Sequence, residues 1–595
     1  GAVTEAVSAV CWKMGTTALI FLTAGSSLGG TSGNMPRRCA HPAPCFGTAP
    51  WHELVAEGVP VRDVEPLHLT MRPDSAAQSD PLWLADQPAG MQHSGGMGSI
   101  SRPGWAAMNS TASKYVELKG SEDASHAVKF AAAHKLVVSI KSTGHDWFGR
   151  SARQGSLLLW THRMTSIMWH DNFTPRGCAN NASGSAAVSL GAGVQFWQFY
   201  EEALKRQRMV VGGTCSTVGH VGFTLGGGYG THSRMYGSGA TNLLEAEVVL
   251  ADGRVVAVNA CSKEHADLFR ALRGGGAGFA LVTRMTYRTY PFPAKGTLGI
   301  IHGRLGGGVG GNADTVTAGL RRFLLWYGGA VTSGVSKHFG GKLFVYQNYV
   351  ELQLSYVKLS PIACQSLVVG LGVQCTPTDQ DWKENSAITS SFGSDGWLNS
   401  WAPDSASSYY TETMSRYFRL DHIQGDHLTA FVNSLSRLAR TLPLDYKSFL
   451  VVNTIYALGH ASDIAVEEAA QTTVHPQVYE AVGMVKLFRR EHPFVPAPNE
   501  PLNWTYLSNL QLFHRELNNL LPAMGSYNNE GDYTAVNWPE LYWGSNYAEL
   551  MQTQRKYDPM GLFSCFQCVG ADPSSGAPYE GPDLRDSSSS SSSSS

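Results

Sequence analysis

Eight glycines crowd into one short stretch of this chain, Gly212–Gly230, which reads GGTCSTVGHVGFTLGGGYG. Glycine adopts positive φ without strain and lets a ligand approach the backbone where a Cβ would block it. Successive N–H groups in such turns form a concave site that suits an anion such as a pyrophosphate. The stretch therefore indicates either a phosphate-bearing ligand or a run of tight turns at the end of a sheet.

A second glycine-bearing loop lies upstream, in Lys141–Ser151, which reads KSTGHDWFGRS. It contains one histidine, His145, directly after Gly144. The apolar run Leu136–Ile140 reads as a buried strand, and the loop follows it at once. Two glycine loops at strand ends favour the ligand interpretation over isolated turns.

The length of 595 residues exceeds what one hydrophobic core supports, so two or more domains are expected. Apolar residues make up 43% of the chain, as in globular proteins. The formal net charge of −2 offers no electrostatic case for binding nucleic acid or an anionic membrane. The composition thus indicates a multidomain globular protein.

The N-terminal part resembles a secretory signal. Residues 14–28 follow a lysine, have a short apolar centre that ends in small residues, and are too short and broken to span a bilayer. Glycosylation sequons begin at four positions: Asn109, Asn172, Asn181 and Asn503. Together with ten cysteines, these features predict a secreted, disulfide-bonded glycoprotein.

The segment Cys565-Phe-Gln-Cys568 has three readings: half a zinc site, a redox pair or a structural disulfide. No second CxxC completes a zinc site, and His422 and His427 lie in what reads as another domain. Structural disulfides and no metal site are therefore expected. Spacing does not determine which cysteines pair, although Cys39 and Cys45 are expected to staple an irregular N-terminal arm.

Regular structure is expected from Ser121 onward. Ser121 reads as a helix N-cap with acidic residues in the first turn, and the runs 245–250 and 254–258 read as a hairpin joined by the two-residue turn Asp252-Gly253. Neither the run at Gly226–Gly228 nor the later run at Gly274–Gly276 has the G-x-G-x-x-G spacing of a Rossmann site, and the P-loop pattern is absent. A phosphate-bearing cofactor on another fold is therefore favoured.

Several motifs together resemble one flavoprotein family. The segments KSTGHDWFGRS, GTCSTVGHVGFTLGGGYG, ADGR and DLFRALRGGGAGF resemble the flavin-binding domain of the berberine-bridge-enzyme-like oxidases, which belong to the vanillyl-alcohol-oxidase (PCMH-type) superfamily. YNNEGDY, WGSNYAEL and KYDPMGLF resemble its closing segment. The resemblance implies an α+β fold: a PCMH-type FAD-binding domain of two α/β subdomains, and a substrate domain with an antiparallel sheet covered by helices.

The resemblance implies FAD with two covalent links. His145 occupies the place of the histidine that bonds the flavin's ring methyl, and Cys215 that of the cysteine that bonds the benzenoid ring in bicovalent members. A thiolate is a good nucleophile, and an imidazole can also be alkylated. The alternatives are a satisfied loop histidine and a buried thiol.

Other cofactor contacts are implied by position in the same two loops. Backbone N–H groups of the first loop would wrap the pyrophosphate and ring edge, and the glycines of the second would line the other side. Val218 stands where the family borders the approach of oxygen, which favours oxidase behaviour, and His220 stands where many relatives have a small residue. The further implied cofactor-binding residues are Ser142, Thr143, Gly144, Asp146, Gly149, Gly219, Gly222, Gly226, Gly227 and Gly228.

The domain organisation follows from the order of the motifs. Strand-like runs at 342–349 and 448–455 fit a substrate sheet in the middle of the chain. The expected division is a leader and N-terminal arm at 1–50, an FAD-binding domain at 51–292 with its PCMH-type core at about 113–292, a substrate-binding domain at 293–519, a return to the FAD domain at 520–571, and a disordered Ser-rich tail at 572–595.

Tyr527-Asn-Asn529 resembles the family's Y-x-N motif, whose tyrosine points into the active site. Tyr527 is therefore expected to be the catalytic base, with Asn529 beside it. A free tyrosine has a pKa of about 10, so the site is expected to favour the phenolate. The alternative is a tyrosine that only packs on the flavin.

The resemblance thus implies a secreted FAD-dependent oxidase that takes a hydride from a CH–OH or similar group of a small molecule or sugar and passes the electrons to O2, giving hydrogen peroxide. Two alternatives stay open: a dehydrogenase with a non-oxygen acceptor, and a non-catalytic secreted binding glycoprotein. The expected partners are a small-molecule substrate and O2, with no nucleic acid and no stable membrane span, and the chain is expected to be a monomer.

Overall fold

The computed structural model describes residues 44–64, 112–146, 148–153, 155–178, 184–214, 217–307, 311–377, 410–442, 449–455, 457–491, 504–532 and 535–572, and the structural statements below concern these residues. The expectations for the leader, the Ser-rich tail, Cys39 and three of the sequons (Asn109, Asn181 and Asn503) fall on residues outside these ranges.

A four-stranded sheet at the N-terminal side carries the first glycine loop. Its strands are β1 (Val61–Asp63), β2 (Lys114–Glu117), β3 (Val138–Lys141) and β4 (Leu157–Trp160). Their order is β1-β2-β4-β3, with β2 and β3 parallel to β4 and β1 antiparallel to β2. Every residue of β4 is buried, as expected for a parallel strand covered on both faces. Because β3 ends at Lys141, the loop starts at the carboxyl end of a buried strand.

Three helices accompany this sheet: α1 (Pro44–Gly47), α2 (Trp51–Ala56) and α3 (Ser121–Ala133). Gly120 is the N-cap of α3 and Ser121 its first residue, so the predicted cap was wrong by one position. The side chain of Asp123 instead accepts the N–H of Lys119 at 2.9 Å. Ala124 and Val128 are fully buried and face the sheet core, as the helical spacing predicted.

Seven strands follow along the chain: β5 (Ile167–Phe173), β6 (Ser185–Gly191), β7 (Arg208–Met209), β8 (Leu243–Val249), β9 (Val255–Asn259), β10 (Leu281–Arg288) and β11 (Tyr290–Pro291). Five form an antiparallel sheet in the order β5-β6-β10-β8-β9, while β7 and β11 pair separately. The predicted β8–β9 hairpin is present. The turn that joins the two strands is longer than the expected two residues, because Leu250 N–H donates to Arg254 O and so closes a loop of residues 251–253. Gly253 in this loop takes φ +83°.

Short helices connect these strands: α4 (Phe196–Lys205), α5 (His220–Leu225), α6 (Ser233–Tyr236), α7 (Gly239–Asn242) and α8 (Ala266–Ala271). The predicted helix near 196–208 ends at Lys205, three residues early. In α4, Phe196, Phe199 and Tyr200 are buried on one face. They support the second glycine loop, since the phenol of Tyr200 donates to Gly213 O at 2.7 Å.

The middle of the chain builds a seven-stranded antiparallel sheet. Its strands are β12 (Leu298–Gly307), β13 (Phe339–Val345), β14 (Tyr349–Val357), β15 (Gln374–Pro377), β16 (Tyr410–Phe418), β17 (Phe449–Asn453) and β18 (Gly483–Glu491). They run in the order β15-β12-β14-β13-β17-β18-β16. The helices of this region are α9 (Ala313–Thr332), α10 (Pro361–Val368), α11 (Gly425–Ala439) and α12 (Asp463–Val466).

One face of this sheet is covered by α9 and α11, whose buried residues Leu320, Phe323, Phe431 and Leu435 join the sheet's core. A long antiparallel sheet under helices, beside a smaller α/β part, is the α+β arrangement that the resemblance implied, and that fold prediction is confirmed.

The C-terminal residues return toward the first half. This segment contains α13 (Trp504–Leu520), α14 (Trp538–Trp543) and α15 (Tyr547–Tyr557). After α15, both carboxylate oxygens of Asp558 accept backbone N–H groups, from Leu562 and Phe563, at 2.7 Å. None of the described helices has both the length and the apolar character needed to cross a bilayer.

Three disulfides are formed in the described part of the chain: Cys178–Cys261, Cys364–Cys375 and Cys565–Cys568. The prediction of a structural disulfide at 565–568 is therefore confirmed. The Cys178–Cys261 bond joins the segments that follow β5 and β9, and the two cysteines are 83 residues apart in sequence.

Two buried arginines fasten the first half to a stretch of the middle region. Arg234 of α6 is fully buried and donates to Ser336 and to backbone carbonyls of 457–460, including Gly459 O at 3.0 Å. Arg273, also fully buried, donates to carbonyls of α7 and pairs with Glu468 at 2.8 Å. These bonds hold residues 457–471 against the short helices that follow the second glycine loop.

Candidate active site

The two glycine loops meet. His145 Nε2 lies 2.8 Å from Thr217 Oγ1, and the N–H of Gly219 donates to Thr143 Oγ1 at 3.1 Å. A Cβ at Gly219 would stand 2.6 Å from Ser142 Oγ, so glycine is needed for this close approach. Cys215 itself lies outside the described residues, but Thr217 follows it by two positions. The described residues of the two loops are therefore in contact, and a single site formed by both loops stays a prediction.

The first loop offers backbone donors on its inner side. Gly144 and Gly149 take φ of +86° and +71°, the left-handed turns that glycine allows. The Asp146 carboxylate braces the loop by accepting the N–H of Arg150 at 2.6 Å. Thr143 and Gly144 are buried residues, and within the described part of the chain their backbone N–H groups bond no acceptor. Such paired donors suit an anion, as the resemblance implied for a pyrophosphate.

The second loop leaves room beside its helix. Gly227 and Gly228 take φ of +112° and +71°, which turns the chain sharply after α5. Gly222, inside α5, is exposed, and a Cβ placed there would meet no protein atom within 4 Å. A Cβ at Gly226 would instead overlap the side chain of Asn529. The donors of the first loop and the open face at Gly222 fit a flavin dinucleotide.

His145 is held as a neutral imidazole. Burial, together with the charge of Lys141, lowers the pKa of His145 to about 3. Lys141 ends β3 and is fully buried, with its ammonium 4.9 Å from the centre of the Trp160 ring. At neutral pH the His145 ring therefore keeps a lone pair on one nitrogen, which a nucleophile needs.

His220 has a structural place in the site. Its Nδ1 accepts the phenol of Tyr287 and its Nε2 donates to Gly191 O, both at 2.9 Å. Burial lowers its pKa to about 4, so the ring is neutral. His220, which stands where many members of the resembled family have a small residue, thus links α5 to β6 and β10 through these hydrogen bonds. Next to it, Val218 is half-buried and its carbonyl accepts the N–H of Phe196 at 3.1 Å.

Tyr527 and Asn529 lie against the second loop. Asn529 Nδ2 donates to the Tyr527 phenol oxygen at 3.0 Å and to the carbonyls of Gly222 and Phe223 at 3.1 Å. Tyr527 is 3% exposed. The predicted catalytic pair and the predicted glycine loop are therefore brought together.

The protonation of Tyr527 differs from the expectation. Burial and the charge of Glu530 raise its pKa, and the hydrogen bonds from Asn529 and the Gly228 N–H only partly oppose this. The protein groups around Tyr527 thus favour the neutral phenol rather than the expected phenolate.

Sequence reasoning missed three residues beside Tyr527. The Tyr229 phenol donates to Glu530 at 2.7 Å, Glu530 pairs with Lys486 at 2.7 Å, and the rings of Tyr229 and Tyr527 lie 5.0 Å apart. Tyr229 and Glu530 stand inside the motifs GGGYG and YNNEGDY, which was the available signal. Lys486 lies on β18, and nothing in its local sequence marks it.

Two family profiles match the chain. The profile described as "FAD binding domain" matches residues 112–259, and that described as "Berberine and berberine like" matches residues 526–570. The "VAO-type flavoprotein oxidase VAO615" of Thermothelomyces thermophilus is 30% identical over 472 residues, which are 77% of this chain and 76% of the relative. The chain belongs to the VAO-type, berberine-like FAD-linked oxidoreductases. As a member of that family it is a flavoprotein enzyme, an oxidoreductase with an FAD-binding domain.

A second relative supports the same assignment: "FAD-linked oxidoreductase penH" of Penicillium thymicola is 30% identical over 491 residues, 76% of this chain and 75% of the relative. Among solved structures, the VAO-type flavoprotein MtVAO713 of Myceliophthora thermophila C1 matches with a TM-score of 0.71 at 20% identity, covering 90% of this chain and 97% of that one.

Sugar oxidases share the fold at lower similarity. A chitooligosaccharide oxidase matches with a TM-score of 0.63 at 21% identity, covering 90% of this chain and all (100%) of the other. Glucooligosaccharide oxidase of Acremonium strictum, whose structure is described by its "6-s-cysteinyl, 8 alpha-N1-histidyl FAD", matches with a TM-score of 0.60 at 17% identity, covering 88% and 99%. At these identities the likeness shows the fold.

Proposed function

We propose that this FAD-linked oxidoreductase is an oxidase with FAD bound through both His145 and Cys215, and that it oxidises a CH–OH group of a small molecule or sugar. One observation carries the proposal: His145 contacts Thr217, two residues after Cys215, while Asn529 holds Tyr527 against the same loop. His145, the described residues of the second loop from Thr217 onward and the proposed base therefore lie together, which supports a single site.

The residues of the two loops would contact different parts of FAD. The N–H groups of Thr143 and Gly144 would hold the pyrophosphate, and the open face at Gly222 would lie along the ring. Ser142, Asp146, Gly149, Gly219 and Gly226–Gly228 shape the backbone around it. Bound FAD supplies the two-electron acceptor for a hydride.

Tyr527 would take the proton of the substrate hydroxyl. Its oxygen accepts two N–H hydrogen bonds, from Asn529 and Gly228, which stabilise negative charge on that oxygen. Because burial and Glu530 raise its pKa, the base form becomes more abundant as pH rises. This assignment predicts an enzyme that works best on the alkaline side.

Two further features support the proposal: one concerns O2 as the acceptor, and the other concerns secretion. The resemblance implies that Val218 borders the approach of O2 to the ring, where a small side chain favours oxidase behaviour. Sugar oxidases are also among the structural neighbours. Three disulfides are typical of secreted proteins. We include in the proposal secretion, a monomeric state and the domain division 51–292, 293–519 and 520–571.

Acid precipitation tests the covalent links. The visible spectrum of the pellet should show retained flavin in the wild type and in the His145→Ala and Cys215→Ala single variants. The double variant should release its flavin to the supernatant. A double variant that keeps its flavin in the pellet would overturn the assignment of both links.

Anaerobic reduction followed by air tests the acceptor. Purified enzyme is reduced with a panel of sugars and small alcohols, and air is then admitted. Rapid reoxidation with stoichiometric hydrogen peroxide supports the oxidase. Slow reoxidation that a quinone accelerates would favour the dehydrogenase, and a colourless protein would favour a binding role.

A further inference from the structure

Thr217 is placed to decide which nitrogen of His145 can react. Its side chain is buried, at 2% exposure, and its hydroxyl lies 2.8 Å from His145 Nε2. A neutral imidazole carries one proton, and the hydrogen bond at one nitrogen determines the state of the other. A hydroxyl that accepts from Nε2–H leaves the lone pair on Nδ1.

We propose that Thr217 is a positioning residue for flavin attachment, in which its hydroxyl accepts the Nε2–H of His145 and directs the Nδ1 lone pair to the flavin's ring methyl. This inference rests on the His145 link proposed above. The neighbouring oxidase of Acremonium strictum carries its flavin on histidine N1, the Nδ1 atom, which supports the same choice of nitrogen here.

Lys141 contributes by disfavouring the imidazolium. It is fully buried at the end of β3, directly before the loop that carries His145. Its charge and the burial of the ring together lower the pKa of His145 to about 3. The imidazole therefore stays neutral over the physiological range, and the tautomer rather than the charge state becomes the variable that Thr217 controls.

In the attachment step, the ring methyl of FAD would lose a proton and the electron pair of that C–H bond would pass to the flavin ring, while the Nδ1 lone pair would form the new N–C bond. The Nε2 proton, held by Thr217, would leave and restore a neutral imidazole. The methyl proton and the Nε2 proton would pass, directly or through water, to the reduced ring. O2 would then take two electrons and two protons from the ring and become hydrogen peroxide.

A reconstitution experiment tests Thr217. In a Cys215→Ala parent, His145 is the sole link, so covalent flavin reports on His145 alone. Flavin-free protein is mixed with FAD, samples are denatured with acid at intervals, and flavin fluorescence of the washed protein gives the attachment rate. FAD binding before attachment is measured separately by quenching of free flavin fluorescence.

We expect Thr217→Val to slow attachment by about tenfold while reversible FAD binding is preserved, and Thr217→Ser to restore the rate. Thr472→Val removes a buried hydroxyl that lies 2.8 Å from the Tyr479 phenol, outside both glycine loops, and serves as the matched control with an unchanged rate. Attachment at the parent rate in Thr217→Val would overturn this inference and leave the His145 link standing. A Cys215→Ala parent without covalent flavin would overturn the link and this inference together.

Discussion

The phenol of Tyr229 donates a 2.7 Å hydrogen bond to Glu530, a residue 301 positions further along the chain. This bond joins the end of the second glycine loop to the C-terminal return. Lys486 completes the group from the seven-stranded sheet, with its ammonium 2.7 Å from the same carboxylate. Three separate parts of the chain therefore define the wall beside Tyr527.

Glu530→Gln is expected to shift the pH dependence of the reaction. The Glu530 charge raises the pKa of Tyr527, so its removal should lower that pKa and move the rise of kcat/KM to lower pH. Tyr527 also faces the rings of Tyr229 and Tyr417 and the side-chain amide of Asn529, and Lys486 lies against Glu530. The pH profile of flavin reduction measures this. Glu516→Gln removes a carboxylate paired with Arg437 at the surface and should leave the profile in place.

Tyr527→Phe is expected to slow reduction of the flavin by substrate by about 10²-fold or more, the range for loss of a general base. Flavin content should stay as in the wild type, because the backbone and Asn529 remain. The wild-type rate should rise with pH toward the alkaline side, since a base with a raised pKa is protonated at neutral pH. Stopped-flow reduction that stays at the wild-type rate would remove Tyr527 from the mechanism.

Gly222→Ala is expected to weaken FAD binding without destabilising the fold. Apart from its own chain neighbours and helix backbone, no protein atom lies within 4 Å of the added Cβ, and alanine stabilises a helix by about 0.5–1 kcal/mol over glycine. The flavin-free protein should therefore melt at the wild-type temperature or above, while FAD binding weakens. Gly329→Ala, in the exposed part of α9 with equally open surroundings, should change the melting temperature alike and leave FAD binding intact. Equal FAD affinity in both variants would contradict the placement of Gly222 beside the flavin.

Arg234→Met is expected to destabilise the fold. Arg234 is fully buried and bonds Ser336 and carbonyls of 457–460, which methionine would leave without a donor. Each buried unsatisfied group costs about 1–3 kcal/mol, so the apparent melting temperature should fall by several degrees. Arg321→Met removes an exposed arginine bonded to Thr429 and should have little effect. A melting temperature unchanged in Arg234→Met would contradict this role.

The parts of the fold that local sequence encodes were predictable. The strand before His145, the helix after Gly120 and the β8–β9 hairpin follow from apolar period and turn residues, with errors of one to a few residues at their ends. The meeting of the two glycine loops followed from the family resemblance of both motifs. The protonation of Tyr527 did not, because it depends on burial and on Glu530, whose position is set by how the return segment docks.

Lys486 is the clearest example of a residue near the candidate site that could not be predicted from the sequence. Its contact with Glu530 depends on the register of β18 against β16 and β17, where Lys486 lies opposite Ser415 and Val451. A register shifted by one residue would turn this side chain to the other face. No short sequence motif determines that register, so the contact of Lys486 with Glu530 could be identified only from the assembled sheet.

The two buried arginines also limit how this enzyme can be recombined with its relatives. A chimera that exchanged the seven-stranded sheet at a cut near residue 293 would separate Arg234 and Arg273 from the carbonyls and the carboxylate of 457–471. A chimera that folds would have to take the α6–α8 region and residues 457–471 from the same parent protein.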